Sequence, residues 1–136
     1  MATEQSKIEL EIVTPAEVFF TDTADMVVVP GGEGDFGILC GHAPLLSQVR
    51  AGTIDIFDGG RISAKIFVEG GIADVTDDRC TVLVETAIMV SDIDKSLATE
   101  RLRKAREAQD SNKEHVMGID SHELIVAQAQ VDATDS

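Results

Sequence analysis

The stretch Val28-Val29-Pro30-Gly31-Gly32-Glu33-Gly34-Asp35-Phe36-Gly37-Ile38-Leu39-Cys40-Gly41-His42-Ala43-Pro44 decides how the rest of the chain is read. It holds five of the eleven glycines and two of the three prolines, and two readings compete for it. Gly32-x-Gly34-x-x-Gly37 carries the letters of a dinucleotide-binding fingerprint. It follows the apolar run Met26 to Val29, and Asp55 lies roughly 20 residues on, where such sites place a ribose-binding acid. That chemistry needs the third glycine to open a helix, because the helix N-terminus holds the pyrophosphate. Gly41 and Pro44 oppose a helix at that point, and Glu33 and Asp35 would put negative charge beside a phosphate. The stretch therefore reads as a glycine-dense, acidic surface loop whose backbone needs positive φ at several points.

Upstream of it, Lys7-Ile8-Glu9-Leu10-Glu11-Ile12-Val13 alternates strictly, as a strand with one face buried and one wet does. Thr14-Pro15-Ala16 breaks that strand. Val18-Phe19-Phe20 is a short second strand, Thr21-Asp22-Thr23 a turn, and Ala24 to Val29 a third strand leading into the loop. Downstream, Pro44 to Val49 continues extended. Thr53 to Phe57, the turn Asp58-Gly59-Gly60 and the return strand Arg61 to Glu69 make a hairpin, with Ile62, Ala64, Ile66 and Val68 on one face. Ile72 to Val75 is another strand, Thr76 to Arg79 a turn, and Cys80 to Val90 one long apolar strand. Short strands separated by regular turn signals predict an antiparallel β-sandwich or flattened barrel.

The period changes from 2 to 3.6 at Asp92-Ile93-Asp94. Leu97/Ala98, Leu102, Ala105 and Ala108/Gln109 form a stripe, with Glu100 facing Lys104 and Arg103 facing Glu107. Asp94 is placed to cap this helix, which should end near Asp110-Ser111-Asn112. A second, short helix is expected from Asp120, with Glu123 completing a capping box and a stripe of Leu124, Ala127/Gln128 and Val131. The tail from Asp132 is expected to fray. The predicted organisation is mainly β with α: a sandwich over residues 1–91 and a two-helix hairpin over 92–136.

Composition narrows the function. The formal charge is −14, which repels nucleic-acid phosphates and anionic lipid. The charge is uneven. Residues 1–93 hold 16 acids and 5 bases, while 6 of the 11 basic residues fall between Lys95 and Lys113. Met1 to Lys7 is polar with no apolar segment after it, so no signal peptide is expected. No apolar run reaches membrane-spanning length, so membrane contact is expected only through partners.

Reactive chemistry is sparse. Cys40 and Cys80 have no motif spacing and read as reduced thiols. Cys40-Gly41-His42 sets a thiol two residues from an imidazole, yet a nucleophile–base pair needs contact in space and an orienting third group. Asp92-x-Asp94 reads as helix capping before metal ligation. His115 and His122 read as solvated positions. No catalytic residue, metal site or cofactor is assigned. The open alternatives are a free-standing β-sandwich that binds a ligand and a small thiol enzyme using Cys40 and His42.

Three segments together resemble a known family: Pro30 to Leu39 with Gly41 to Leu46 and Gly52; Glu69-Gly70-Gly71-Ile72-Ala73-Asp74-Val75; and Thr81 to Ile88 running on to Asp92-Ile93-Asp94. The chain resembles the epsilon subunit of F-type proton-translocating ATP synthases, of alphaproteobacterial type, equivalent to the mitochondrial delta subunit. The resemblance covers nearly the whole chain. It implies a central-stalk rotor subunit that couples proton-driven rotation to ATP synthesis, has no catalysis of its own, and carries a C-terminal hairpin that folds down on the sandwich or extends toward the catalytic head to regulate ATP hydrolysis. The implied partners are the gamma subunit, the membrane ring of c subunits, and the catalytic alpha/beta head through the hairpin. The implied location is the cytoplasmic face of a bacterial inner membrane, or the matrix face in a mitochondrion. Gly32, Glu33, Gly34 and Asp35 match the ring-facing segment, and His42 lies near the gamma-facing side. Members that bind ATP carry Ile/Leu-Asp-x-x-Arg-Ala at the start of the hairpin. Here the segment is Ile93-Asp94-Lys95-Ser96-Leu97-Ala98, with leucine where the phosphate-binding arginine belongs, so ATP sensing is not expected.

Overall fold

The computed structural model describes residues 7–111 and 119–135. His115 lies outside the described residues. Strict alternation builds the sandwich. β1 (Ile8–Val13) fully buries Ile8, Leu10 and Ile12 while Glu9 stays in solvent. After it come β2 (Val18–Ala24), β3 (Met26–Gly31), β4 (Gly34–Ile38), β5 (Leu45–Val49), β6 (Gly52–Asp58), β7 (Arg61–Val68), β8 (Gly71–Val75), β9 (Arg79–Val84) and β10 (Ala87–Met89). These ten strands form one sheet in the order β10-β7-β6-β3-β5-β8-β9-β1-β2, with β4 on the side of β3. Pairing is antiparallel except between β1 and β9, which run parallel. The inward rows Val27/Val29, Ile54/Ile56, Ala73/Val75 and Cys80/Val82 join the β1 row in one apolar core. A sheet that curls on itself buries one face of every strand and leaves the other wet.

Three local expectations change. Thr21-Asp22-Thr23 is strand, because the backbone of β1 pairs Glu11 with Thr21, Leu10 with Asp22 and Glu9 with Thr23. The break between β2 and β3 lies later, at Asp25, while the expected break after β1 is a turn in which Thr14 and Glu17 exchange backbone hydrogen bonds of 2.9 and 3.3 Å. The run Cys80 to Val90 is two strands and a 3-10 turn (Val90–Asp92), broken at Glu85-Thr86. Ile62 leaves the shared face of β7 and is 40% exposed. A shift in register at Ile56/Phe57 pairs Phe57 with Ile62 and turns that end of the strand outward.

The helices are α1 (Lys95–Ser111) and α2 (Ile119–Asp135). Asp94 caps α1, its Oδ1 accepting from the N–H groups of Ser96 (2.9 Å) and Leu97 (3.2 Å). Ala98, Leu102 and Ala105 are the buried stripe of α1. Helix α2 begins at Ile119, one residue before the expected start, and the segment expected to fray is helical to Asp135. It lasts because it packs on two sides. Leu124, Ala127 and Val131 meet Leu102 and Ala105 of α1. Val126, Ala129 and Ala133 meet Phe67, Ala51, Ile88 and Ile93 of the sandwich. The hairpin therefore lies folded against the sandwich, and Phe67, on the face of β7 expected to be wet, is 1% exposed beneath it.

Candidate functional site

The opening stretch is a tight hairpin. Gly31 pairs with Gly34, Pro30 with Asp35 and Val29 with Phe36, so only Gly32 and Glu33 stand outside the ladder. The expected long loop is thus mostly strand, and positive φ occurs within it only at Gly34 (136°) and Gly41 (92°). Gly31 answers to close approach instead. A Cβ there would lie 2.7 Å from the Gly34 carbonyl oxygen and 2.8 Å from the Phe36 ring. The ring of Phe36 is half-buried against the core and anchors the turn from below.

Arg50 fastens the turn from the side. Its Nη1 donates to the Gly31 carbonyl at 2.6 Å, its Nη2 to Asp35 Oδ1 at 2.6 Å, and its backbone N–H to the Pro30 carbonyl at 2.9 Å. The Gly32 N–H donates to the Gln48 carbonyl at 3.0 Å. The tip is consequently a stiff platform beside an open hollow of about 560 Å³ lined by Gly31 to Phe36 and Leu46 to Gln48. Of the two acids, Asp35 is neutralised by Arg50, while Glu33 stands exposed with no ion pair among the described residues. Sequence reasoning missed Arg50, which lies 15 residues from its partner Asp35.

His42 sits elsewhere. The Gly41 N–H donates to the Asp77 carbonyl, holding this loop against the β8–β9 turn. Leu45 at that end of β5 pairs with Val75, whereas Val49 at the other end pairs with Gly31. About 13 Å of strand separates the two regions. His42 is half-buried with Nδ1 2.6 Å from the Ala43 carbonyl, and no hydrogen bond joins it to Cys40. Cys40 is half-buried and free. Cys80 is also free, and burial, followed by the nearby Asp74 charge, pushes its thiol up to about 12. Among the described residues no cluster of His, Cys, Asp and Glu could hold a metal ion.

Between those ends the outer face of the sheet carries an apolar row. Ile72, Leu83, Val13 and Val18 lie opposite one another across β8, β9, β1 and β2, with the polar Gln48 of β5 at the end of the row. Ile72 is 45%, Leu83 49% and Val18 53% exposed, and Leu46 on the same face is 70% exposed. Such a row is unusual on the wet side of a sandwich. The signal was present in the sequence, since Ile72 and Leu83 sit at outward positions of alternating strands.

At the hairpin, Ile93 is half-buried against the sandwich, Asp94 is spent on capping, and Ala98 is buried. Leu97 is 68% exposed, so the position of the missing arginine faces solvent with an apolar chain. Much of the basic charge of α1 is engaged internally. Arg101 pairs with Glu123 and Glu69, Arg103 with Glu100 and Glu107, and Lys95 with Asp135. Among the described residues no helix is long and apolar enough to cross a membrane.

Comparison with known proteins places this geometry. Residues 7–90 match the family model described as ATP synthase, Delta/Epsilon chain, beta-sandwich domain. The ATP synthase epsilon chain of Paramagnetospirillum magneticum is 50% identical over 107 residues, covering 79% of this chain and 80% of that one. That of Rhodospirillum rubrum is 42% identical over 125 residues, covering 92% and 91%. A chain in the Euglena gracilis mitochondrial ATP synthase structure, OSCP/F1/c-ring, superposes with a TM-score of 0.82 at 22% identity, covering 98% of this chain and 89% of that one. One in the Tetrahymena thermophila mitochondrial ATP synthase, central stalk/c-ring, gives 0.63 at 14%, covering 97% and 99%. These two likenesses bear on the fold. With a sandwich matched from end to end and half of the aligned residues shared with a bacterial epsilon chain, this protein belongs to the ATP synthase delta/epsilon chain family.

Proposed function

We propose that the chain is a central-stalk subunit of an F-type ATP synthase, coupling rotation of a proton-driven membrane ring to the catalytic head. Membership of the delta/epsilon family carries the proposal. On this reading the protein is an accessory subunit with no turnover of its own. The sparse chemistry supports that: an unreactive buried Cys80 and a His42 bonded to its own neighbour's carbonyl.

Residues 1–91 are the docking unit and 92–136 the hairpin unit. The tip of Gly32, Glu33, Gly34 and Asp35 stands on the polar loops of the ring. Its stiffness suits a part that transmits torque, and the free carboxylate of Glu33 suits a basic or polar partner. The gamma subunit takes the separate surface that runs from His42 across Leu46, Ile72 and Leu83. The protein then works at the cytoplasmic face of a bacterial inner membrane, held there by its partners.

Affinity purification of the tagged chain from its native membranes tests this. It should bring down gamma, the ring and the catalytic subunits together. Recovery of the chain alone, in gentle detergent that keeps the remaining complex intact, would overturn the proposal.

A further inference from the structure

A hollow of about 570 Å³ opens where β1 and β9 end and β8 begins. Its floor is apolar. Ile72 and Leu83 pair across β8 and β9, Leu83 lies beside Val13 of β1, and all three belong to the outer face of the sheet. One lip is bare backbone. Gly70 has a φ of 68°, and a Cβ on Gly71 would lie 2.0 Å from the Leu83 carbonyl oxygen, so no side chain stands there to fill the hollow.

The rim is acidic. The Glu69 N–H donates to the Thr86 carbonyl at 3.1 Å, which brings the exits of β7 and β9 together and sets Glu69 and Glu85 on one opening. The side chain of Glu69 is 25% exposed and accepts from Arg101 Nη1 at 3.3 Å. Glu85 is exposed, with no ion pair among the described residues. His122, near the start of α2, is the remaining titratable group among the described residues of the wall.

Few groups suit such a place. A wholly apolar group would cover the carboxylates without giving them a partner, and an acid would be repelled. A lysine or arginine fits. Its alkyl stem covers apolar surface while its charged head stays at the rim, within reach of a carboxylate. The volume lies in the range of sites that hold a small ligand, ample for one long side chain. The floor indicates which molecule brings it. Ile72 and Leu83 are also part of the surface assigned to gamma, so a partner seated there lies over the opening.

We propose that the hollow is a socket for one lysine or arginine of the gamma subunit, its stem on Ile72 and Leu83 and its charged head on Glu85. Such a socket rests on the assignment of this face to gamma and adds the anchoring contact. Interfaces concentrate their binding energy in a few side chains, arginine prominent among them.

Rebinding of the full chain to the soluble part of the complex, catalytic head with gamma, from which this subunit has been removed, tests the socket. Glu85→Gln should weaken rebinding about tenfold, and Glu85→Lys about a hundredfold or more. Glu85→Asp keeps the charge and should retain most of the affinity. Asp22→Asn removes a charge on β2, away from the hollow, and should rebind as the wild type does. Raising NaCl from about 0.05 to about 0.5 M should weaken the wild type more than Glu85→Gln. Because Glu85 is exposed, its variants should unfold at the wild-type midpoint. Should Glu85→Lys not fold, Glu85→Gln decides alone. Wild-type rebinding of Glu85→Gln overturns the socket. Equal weakening by Asp22→Asn also overturns it, since general charge and not a seated side chain would then be at work. If the socket fails in either way while Leu83→Lys still abolishes rebinding, the gamma face stands without it. If Leu83→Lys also rebinds as the wild type does, the face falls together with its socket.

Discussion

Arg50 changes what Asp35 means. Read in sequence, Glu33 and Asp35 are two equal acids on a loop. In the structure Arg50 takes Asp35 and the Gly31 carbonyl, so at the tip it is Glu33 that presents a charge with no ion pair among the described residues. Arg50→Met should cost about 1 kcal/mol or less in urea unfolding, since both partners of the ion pair are largely exposed. It should nevertheless loosen the β3–β4 turn, seen as faster amide exchange at Asp35 and Phe36. Gly31→Ala should cost more, roughly 1–3 kcal/mol, because the new methyl meets a backbone oxygen that cannot swing away. Equilibrium denaturation measures both. The thiols separate in the same way. Iodoacetamide at pH 8 should alkylate Cys40 in the folded protein and leave Cys80 untouched, because burial holds the Cys80 thiol protonated. The glycine-dense stretch was legible, but the expected reason, positive φ, does not apply at residue 31. The ring of Phe36 and the carbonyl of Gly34 that exclude a side chain there meet only after the hairpin forms.

Strands and helices were legible wherever one rule acted alone. β1 and β6 alternate and are found as expected. Thr21-Asp22-Thr23 carries turn residues, yet hydrogen bonding along β1 outweighs their local preference. α2 looked marginal because its apolar residues fall on two faces and do not sum to one stripe. Each face has its own partner, so the helix gains from both packings what a single stripe would not supply. The pH response of the hairpin follows from Glu123. Its carboxyl is held below the ordinary value in the folded state, so its contribution is complete above the unfolded value of about 4.3 and is lost as pH falls below that. Acid titration followed by exchange should therefore release α2 at a higher pH than the strands. On the outer sheet face, Leu83→Lys should leave the unfolding midpoint nearly unchanged, as Leu83 is 49% exposed. The same change should reduce recovery of gamma about tenfold or more, as burial of a lysine in an apolar contact does.

For the whole molecule, the order of a sandwich followed by two helices was readable because the hydrophobic period changes once, near Asp92. The parallel β1–β9 pair and the folded position of the hairpin were not readable, since both depend on contacts between distant segments. The separation of two candidate surfaces also appears only in three dimensions. Glu33 and His42 are 9 residues apart in sequence, but β5 lies between the places they occupy. A rotor subunit needs such a separation, one surface for the ring and another for the shaft. The central claim is that the tip of β3–β4 stands on the ring. It is tested most directly by ATP-driven proton pumping in membranes whose complex carries Glu33→Lys together with Asp35→Lys, with the isolated variant checked for native strand signals. The account predicts a folded variant, ATP hydrolysis that persists, and pumping lost with the subunit released from the ring. Wild-type pumping with the doubly reversed tip still assembled would contradict it.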